Sequence, residues 1–332
     1  MAVKEKERHQ AAGKRLPELM RAAAIDRFGG PEVLSLHSIP VPHVDPGEVL
    51  IAMDTAGVGS WDADIRGGWF PGGPPRFPLV LGTDGSGRVV AMGSHFRRFK
   101  IGDAVFAYSF MNPKGGFYAE YVAVDAEKVA PIPRCLELRE AGAIPTTGLT
   151  AIQGIDSALK LRQDESVIIH GGSGGVGTLA IQFAKLRGAR VLATASGKDG
   201  GDLVRTLGAD SAIDGHHSDI VAAARAFAPQ GVDAVLGLVG GGALDQCVKA
   251  LKSGGRLSYP NGVDPEPQKR PGIRIISYDA VANVREFDHL TAAVEASKLR
   301  VPIAAEFALG DARKAHERIE QGHVLGKIVI RI

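Results

Sequence analysis

Cysteine is almost missing from this chain of 332 residues: Cys135 and Cys247 are the only two, and no C-x-x-C pair occurs. Two thiols this far apart make neither a disulfide framework nor a cysteine-rich zinc site, and they fit a reducing cytoplasm. No uncharged stretch is both long and apolar enough to span a bilayer; Ala141 to Ile155, for one, is broken by Gly142, Pro145, Gly148 and Gly154. The start lacks the apolar centre of a secretory signal, so a soluble, unsecreted protein is expected. An excess of one charge is absent as well. The net charge is +2, and the segment before Ala22 holds six basic residues against three acidic ones, which leaves the body at −1. A neutral body has no electrostatic footprint for nucleic acid or an anionic membrane.

Glycine is abundant, at 43 residues, and hydrophobic residues make up 45% of the chain, enough for the cores of two domains. Residues 1–21 are mostly polar and charged and are expected to form a flexible extension. From Ala22 onward, short β-segments such as EVLIAM, SGRVVAMG, DAVFAY and FYAEYVAV alternate with Gly and Pro, which predicts a mostly β domain with barrel-like closure. The rhythm changes at Ser166. Apolar strands (SVIIH, ARVLATA, VDAVLGLVG, GRLSYP) now alternate with helical patterns, the signature of a parallel doubly wound sheet, so the fold class is α/β. The terminal strand GKIVIRI needs a partner sheet, and the first domain is its natural host.

SVIIHGGSGGVGTLAIQFAKLRGARVLATAS carries Gly172, Gly174 and Gly177 in G-x-G-x-x-G spacing. Alone, the spacing is weak evidence. Here it follows an apolar strand, opens an amphipathic helix and leads to a second strand, the context of a dinucleotide site. The glycines serve a tight turn, close approach of the backbone to pyrophosphate and close helix packing. Ser173 lies within the turn, and the N–H groups near Gly175 and Val176 are free to hold phosphates. The end of the second strand, where an NAD site usually carries Asp or Glu, instead reads Ala195, Ser196, Gly197, Lys198. The Ser196 hydroxyl and the Lys198 cation suit a 2′-phosphate and point to NADPH. The alternative is that Lys198 is a solvated loop charge and Asp199 or Asp202 reads the ribose.

These residues, with PLVLGTDGSGRVVAMGSHFRRFKIGDAVFA, TTGLTAIQGI and AHERIEQGHVLGKIVIRI, resemble the medium-chain dehydrogenase/reductase superfamily over nearly everything after Met20. The resemblance implies a GroES-like catalytic domain formed by residues 22–145 and 289–332, interrupted by a Rossmann domain at 146–288. Zinc members take ligands from a Cys and a His where this chain has Gly59 and Thr83, followed by Asp84, so no tetrahedral zinc site is expected. Within the zinc-free branch the chain resembles quinone oxidoreductases and alkenal or enone reductases. Thr83 and Thr150 match threonines beside the nicotinamide there. The chain departs from the branch at Gly59, commonly Asn; at Asp64 and Phe70, where pocket tyrosines stand; and at Gly200 and Gly215, where a 2′-phosphate Lys and a Tyr stand. The resemblance also implies a homodimer.

Hydride transfer to a quinone or an enone needs no Lewis acid if donors stabilise the charge developing on oxygen. Trp61, Asp64, Trp69 and Phe70 are candidate pocket residues; the aromatic three could equally form a structural cluster under a loop. Tyr108 is the candidate proton donor, against a structural tyrosine or a proton from solvent. His170, His216, His217, His316 and His323 are assigned neither metal nor catalysis. The expected function is an NADPH-dependent quinone or enone reductase. An enoyl thioester reductase and an NADPH-binding protein without turnover are the competing readings.

Overall fold

The computed structural model describes residues 16–71, 73–95 and 98–332. The first part of the chain forms β1 (Leu19–Ile25), β2 (Leu34–Pro40), β3 (Glu48–Val58), α1 (Ser60–Gly67), β4 (Leu79–Val80), β5 (Asp84–Met92), β6 (Ala104–Tyr108), β7 (Tyr121–Asp125) and β8 (Val129–Pro131), then α2 (Leu138–Ala141) and α3 (Pro145–Ile152). Alternation then sets in with β9 (Ser166–His170), α4 (Gly175–Leu186), β10 (Arg190–Ala195), α5 (Gly197–Thr206), β11 (Ser211–Asp214), α6 (Ile220–Phe227), β12 (Val232–Gly237), α7 (Gly242–Lys249), β13 (Leu251–Pro260) and β14 (Arg274–Tyr278). The chain closes with α8 (Val284–Ser297), β15 (Ile303–Ala308), α9 (Ala312–Glu320) and β16 (Lys327–Arg331).

The alternating part is a six-stranded parallel sheet in the order β11-β10-β9-β12-β13-β14. Helices cover both faces, which is why its central strands are unbroken apolar runs: all five residues of β9 are buried. The order reverses between β10-β9 and β12, and ligands bind at such a switch point outside the carboxyl ends of the strands. The other lobe is built on the sheet β15-β16-β3-β5-β6-β8, with β7 also on β3, beside a small sheet β2-β1-β4. Strand β16 runs antiparallel to β3, with Ile328 opposite Val58 and Arg331 opposite Thr55, so the end of the chain completes the lobe begun at its start. One core joins the two lobes, where Phe106 of β6 meets Phe287 of α8 at 5.0 Å between ring centroids.

Two boundaries differ from expectation. Strand β1 begins at Leu19, inside the segment assigned to the extension. Met20 is buried there, opposite Ile39, and the Arg21 guanidinium binds Glu120, so apolar burial and an ion pair anchor a stretch that composition alone marks as tail. Residues 1–15 of that extension lie outside the described residues. The boundary at 288/289 falls within α8, whose Phe287, Leu290, Ala293 and Val294 follow helical spacing and are all buried in the core shared with the parallel sheet.

Candidate active site

Strand β9 ends at His170, and a turn through Gly171–Gly174 opens α4. Gly174 is the N-cap residue and no side chain caps the helix, so its first-turn N–H groups face outward without intrahelical partners. A Cβ on Gly177 would lie 2.2 Å from the Gly171 carbonyl oxygen, so no larger residue lets α4 pack this closely on the turn. The Gly172 N–H donates to Thr194 O at 2.8 Å and ties the turn to β10. The positive end of a helix of twelve residues thus faces a cleft between the lobes.

The cleft consists of two joined cavities that share Gly171, Gly174, Val239 and Val324. The larger, about 410 Å³, lies over the ends of β9, β10 and β11 and is lined by His170, Ser173, Thr194, Ser196, His216 and His323, among others. His170 Nδ1 and Thr194 Oγ1 are 2.8 Å apart, and the Gly171 N–H donates to the same hydroxyl at 3.1 Å. Burial, with His216 nearby, pushes the His170 imidazole down to about 4, so it stays neutral, and its Nε2 has no partner. His323 Nδ1 lies 3.0 Å from Ser196 Oγ, and its Nε2 3.0 Å from Asp199 Oδ2.

The smaller cavity, about 200 Å³, lies between the start of α4 and the β-rich lobe, against Gly59, Ser60, Trp61, Thr147, Val176 and Lys327. The Trp61 indole N–H donates to Thr83 Oγ1 at 2.8 Å and the ring folds back over residue 59, where a Cβ would lie 2.2 Å from it. Lys327 is only 4% exposed; its Nζ sits 4.7 Å from the Trp61 ring centroid and has no hydrogen-bond partner. Two buried carboxylates lie close by. Asp62 Oδ2 accepts from the Gly59 N–H at 2.8 Å and the Tyr118 hydroxyl at 3.2 Å, and Asp84 Oδ2 accepts from the Thr146 N–H at 2.9 Å. The second oxygen of each is unpaired. Burial raises the Asp62 carboxyl to about 7, against the Gly59 N–H bond and the Lys327 charge, which lower it.

Ser173, Gly174, Gly175, Val176, Gly177 and Ser196 all line this cleft, as does Trp61. Gly172 supports the turn behind it. Thr83 is buried under Trp61, and Thr150 is buried in α3 with its hydroxyl donating to Thr146 O, while its neighbour Thr147 lines the cavity. Lys198 is exposed on α5 and lines neither cavity. Asp64 is exposed on α1, Trp69 packs beside Phe110, and Phe70 lies beside Phe28, and none of the three lines either cavity. Tyr108 packs at the edge of the main core with its phenol pKa raised by burial, and it too lines neither cavity. Lys327 is not singled out by the sequence, and His323 is considered there only to be assigned neither metal nor catalysis; the structure brings both to the cleft.

The sequence model described as the alcohol dehydrogenase GroES-like domain matches residues 45–134, and the one described as zinc-binding dehydrogenase matches residues 207–330. Mouse quinone oxidoreductase (Mus musculus) is 31% identical over 94% of this chain and 98% of its own. The chloroplastic NADPH-dependent alkenal/one oxidoreductase of Arabidopsis thaliana is 32% identical over 95% of this chain and 80% of its own. The solved quinone oxidoreductase of Coxiella burnetii is 34% identical, covers 95% of this chain and 99% of its own, and superposes with a TM-score of 0.85. The chain belongs to the medium-chain dehydrogenase/reductase superfamily, in its quinone oxidoreductase-like branch.

As a member of that superfamily it is an oxidoreductase, and its cleft fits a dinucleotide: an uncapped helix N-terminus, a glycine cradle that a Cβ would fill, and buried polar atoms on His170 and Lys327 that lack protein partners. Zinc, which one matching description names, does not fit. Gly59, Thr83 and Asp84 offer one carboxylate and one hydroxyl where thiolate and imidazole are required. Among the described residues no three His, Cys, Asp or Glu side chains are grouped to hold a metal ion, and no helix is long and apolar enough to cross a membrane.

Proposed function

We propose that this protein is an NADPH-dependent reductase that transfers a hydride to a quinone or to an activated enone or alkenal without a metal ion. The observation that carries the reading is the single cleft linking the end of β10, the open N-terminus of α4 and the floor made by Trp61 and Lys327. NADPH bound there would supply hydride from its nicotinamide. The N–H groups of Gly175 and Val176 would hold the phosphates, and Ser196, standing where an NAD site usually has a carboxylate, would meet the 2′-phosphate. Trp61, pinned by Thr83, is a rigid apolar wall for a flat acceptor. The Lys327 ammonium sets a positive potential at the floor, favourable to the charge developing on an acceptor oxygen. Tyr108 lies outside the lining of the cleft, which favours solvent over this phenol as the source of the final proton.

The test is fluorescence titration with NADPH and NADH, followed by NADPH oxidation with an ortho-quinone and with an alkenal in the presence of a chelator. Tight binding with chelator-resistant turnover is the expected result, and the better acceptor assigns the subclass. Binding without turnover would favour the non-enzymatic reading, which the missing pocket tyrosines at Asp64 and Phe70 support. A thioester reductase is the third reading, and no basic groove for a phosphorylated carrier supports it. We further infer a cytoplasmic homodimer, checked by sedimentation velocity.

A further inference from the structure

The His323 imidazole bridges two polar groups at the adenosine end of the cleft. Its Nε2 faces Asp199 Oδ2 and its Nδ1 faces Ser196 Oγ, both at 3.0 Å. It reaches them through a strained path: Gly322 and His323 both have positive φ, +69° and +47°, the second in a residue that carries a Cβ. Ser196 is the N-cap residue of α5, yet its hydroxyl caps nothing and turns to the histidine instead. It also follows β10, the strand end at which a dinucleotide fold reads the ribose 2′ position, and it lines the larger cavity.

The proton count in this chain of groups follows from valence. An ionised Asp199 can only accept, so it fixes a neutral His323 with its proton on Nε2 and leaves Nδ1 bare. The one proton of the Ser196 hydroxyl is then spent on Nδ1, and toward the cavity the hydroxyl can only accept. A second proton on His323 reverses this. Nδ1–H now donates to Ser196, the hydroxyl proton is released toward the ligand, and the imidazolium balances Asp199. A ribose 2′-hydroxyl can donate to an accepting serine; a phosphate dianion needs a donor.

We propose that His323 is a proton-controlled specificity switch: neutral, it presents Ser196 as an acceptor suited to the 2′-hydroxyl of NADH, and protonated, it presents Ser196 as a donor suited to the 2′-phosphate of NADPH. The switch rests on the dinucleotide reading of the cleft and adds to it a pH-dependent choice of cofactor. Histidine is the side chain whose charge changes between about pH 5 and 8. Among the described residues, the other charged or titratable groups around His323 are Asp199 on α5, with the exposed Lys198 next to it in the chain, Asp214, which accepts from the Gly197 N–H, His216 across the cavity, and Arg318 on α9, which donates to the His323 carbonyl. Asp199 is held below the usual carboxylate range by its bond to His323 and by the Gly200 N–H, and Asp214 is held there by the His216 N–H and other backbone donors, so neither titrates in this interval.

The experiment measures the dissociation constants of NADPH and NADH from pH 6 to pH 8.5 by quenching of intrinsic fluorescence. It compares the wild type with His323→Gln, whose amide cannot take the proton, and with Ser196→Ala. In the wild type the preference for NADPH over NADH should rise about fivefold to tenfold as pH falls across this range, the size of one charge-assisted hydrogen bond at a half-exposed site. Both variants should flatten that dependence. The second ionisation of the phosphate itself, near about pH 6, acts equally in wild type and variants, so the comparison removes it. A pH-independent ratio in the wild type, or an unchanged pH dependence in His323→Gln, overturns the switch while leaving the reductase reading intact. Failure to bind either cofactor at any pH overturns both.

Discussion

The two ends of the cleft manage charge in opposite ways. At the end that follows β10, His323, Ser196 and Asp199 are partly exposed and joined by direct hydrogen bonds, so each group's proton is accounted for by a neighbour. At the other end Asp62, Asp84 and Lys327 are almost fully buried, and each keeps one polar atom without a partner. Water screens the first set, and its interactions are worth little to stability. The second set is held in a low-dielectric interior where an uncompensated charge is expensive. Substitutions among the buried groups should therefore change stability most, and substitutions among the exposed groups should change ligand preference with little effect on stability.

The largest effect should come from removing the buried cation. Lys327→Met removes the positive charge that favours the ionised form of Asp62 and the cation over the Trp61 ring, and is expected to cost about 3–5 kcal/mol in urea unfolding at pH 8, where Asp62 is ionised; a loss below 1 kcal/mol would abolish the contrast. Next comes the pH dependence of stability. The Asp62 carboxyl is raised in the folded protein to about 7 from an unfolded value near 3.8, so the folded state holds the extra proton. The stability this lends is complete below the unfolded value and is lost as pH rises through the folded one. Asp62→Asn keeps an acceptor for the Gly59 N–H and should be the more stable protein at pH 8, by about 3 kcal/mol relative to its position at pH 4. Thermal unfolding at the two pH values checks the sign. Trp61→Phe removes the bond to Thr83 and weakens the cation–π contact, and should cost about 1–2 kcal/mol in kcat/KM for a quinone while NADPH binding changes little. The smallest effect belongs to the exposed end: Lys198→Ala should change NADPH affinity by less than about 0.5 kcal/mol, measured by the same titration.

Much of this was legible in the residues. The change from Gly- and Pro-broken β-segments to strand and helix alternation at Ser166 marks the parallel sheet, because strands buried on both faces must be apolar throughout. The spacing of Gly172, Gly174 and Gly177 located the start of α4 because local turn chemistry allows few residues there. Other features were hidden. Leu19 and Met20 sit in a charged stretch and reveal their strand only through β2. Trp69 and Phe70 are close to Trp61 in sequence, but the turn after α1 carries them to Phe110 and Phe28. Trp61 compensates for the bare Gly59 by folding over it, a three-dimensional substitution that no spacing rule anticipates.

By itself, then, the sequence determined the fold class and the glycine turn that opens α4, which follow from periodicity and backbone constraints acting over a few residues, and its resemblance in several segments indicated the superfamily. Only the tertiary structure decided which charged side chains matter. Lys327 and His323 stand some 150 positions downstream of the glycine turn and reach the cleft because β16 pairs with β3 and draws the last segment of the chain across the mouth of the parallel sheet. A charge acquires its role from burial and from the groups placed around it, and both are set by contacts between distant segments.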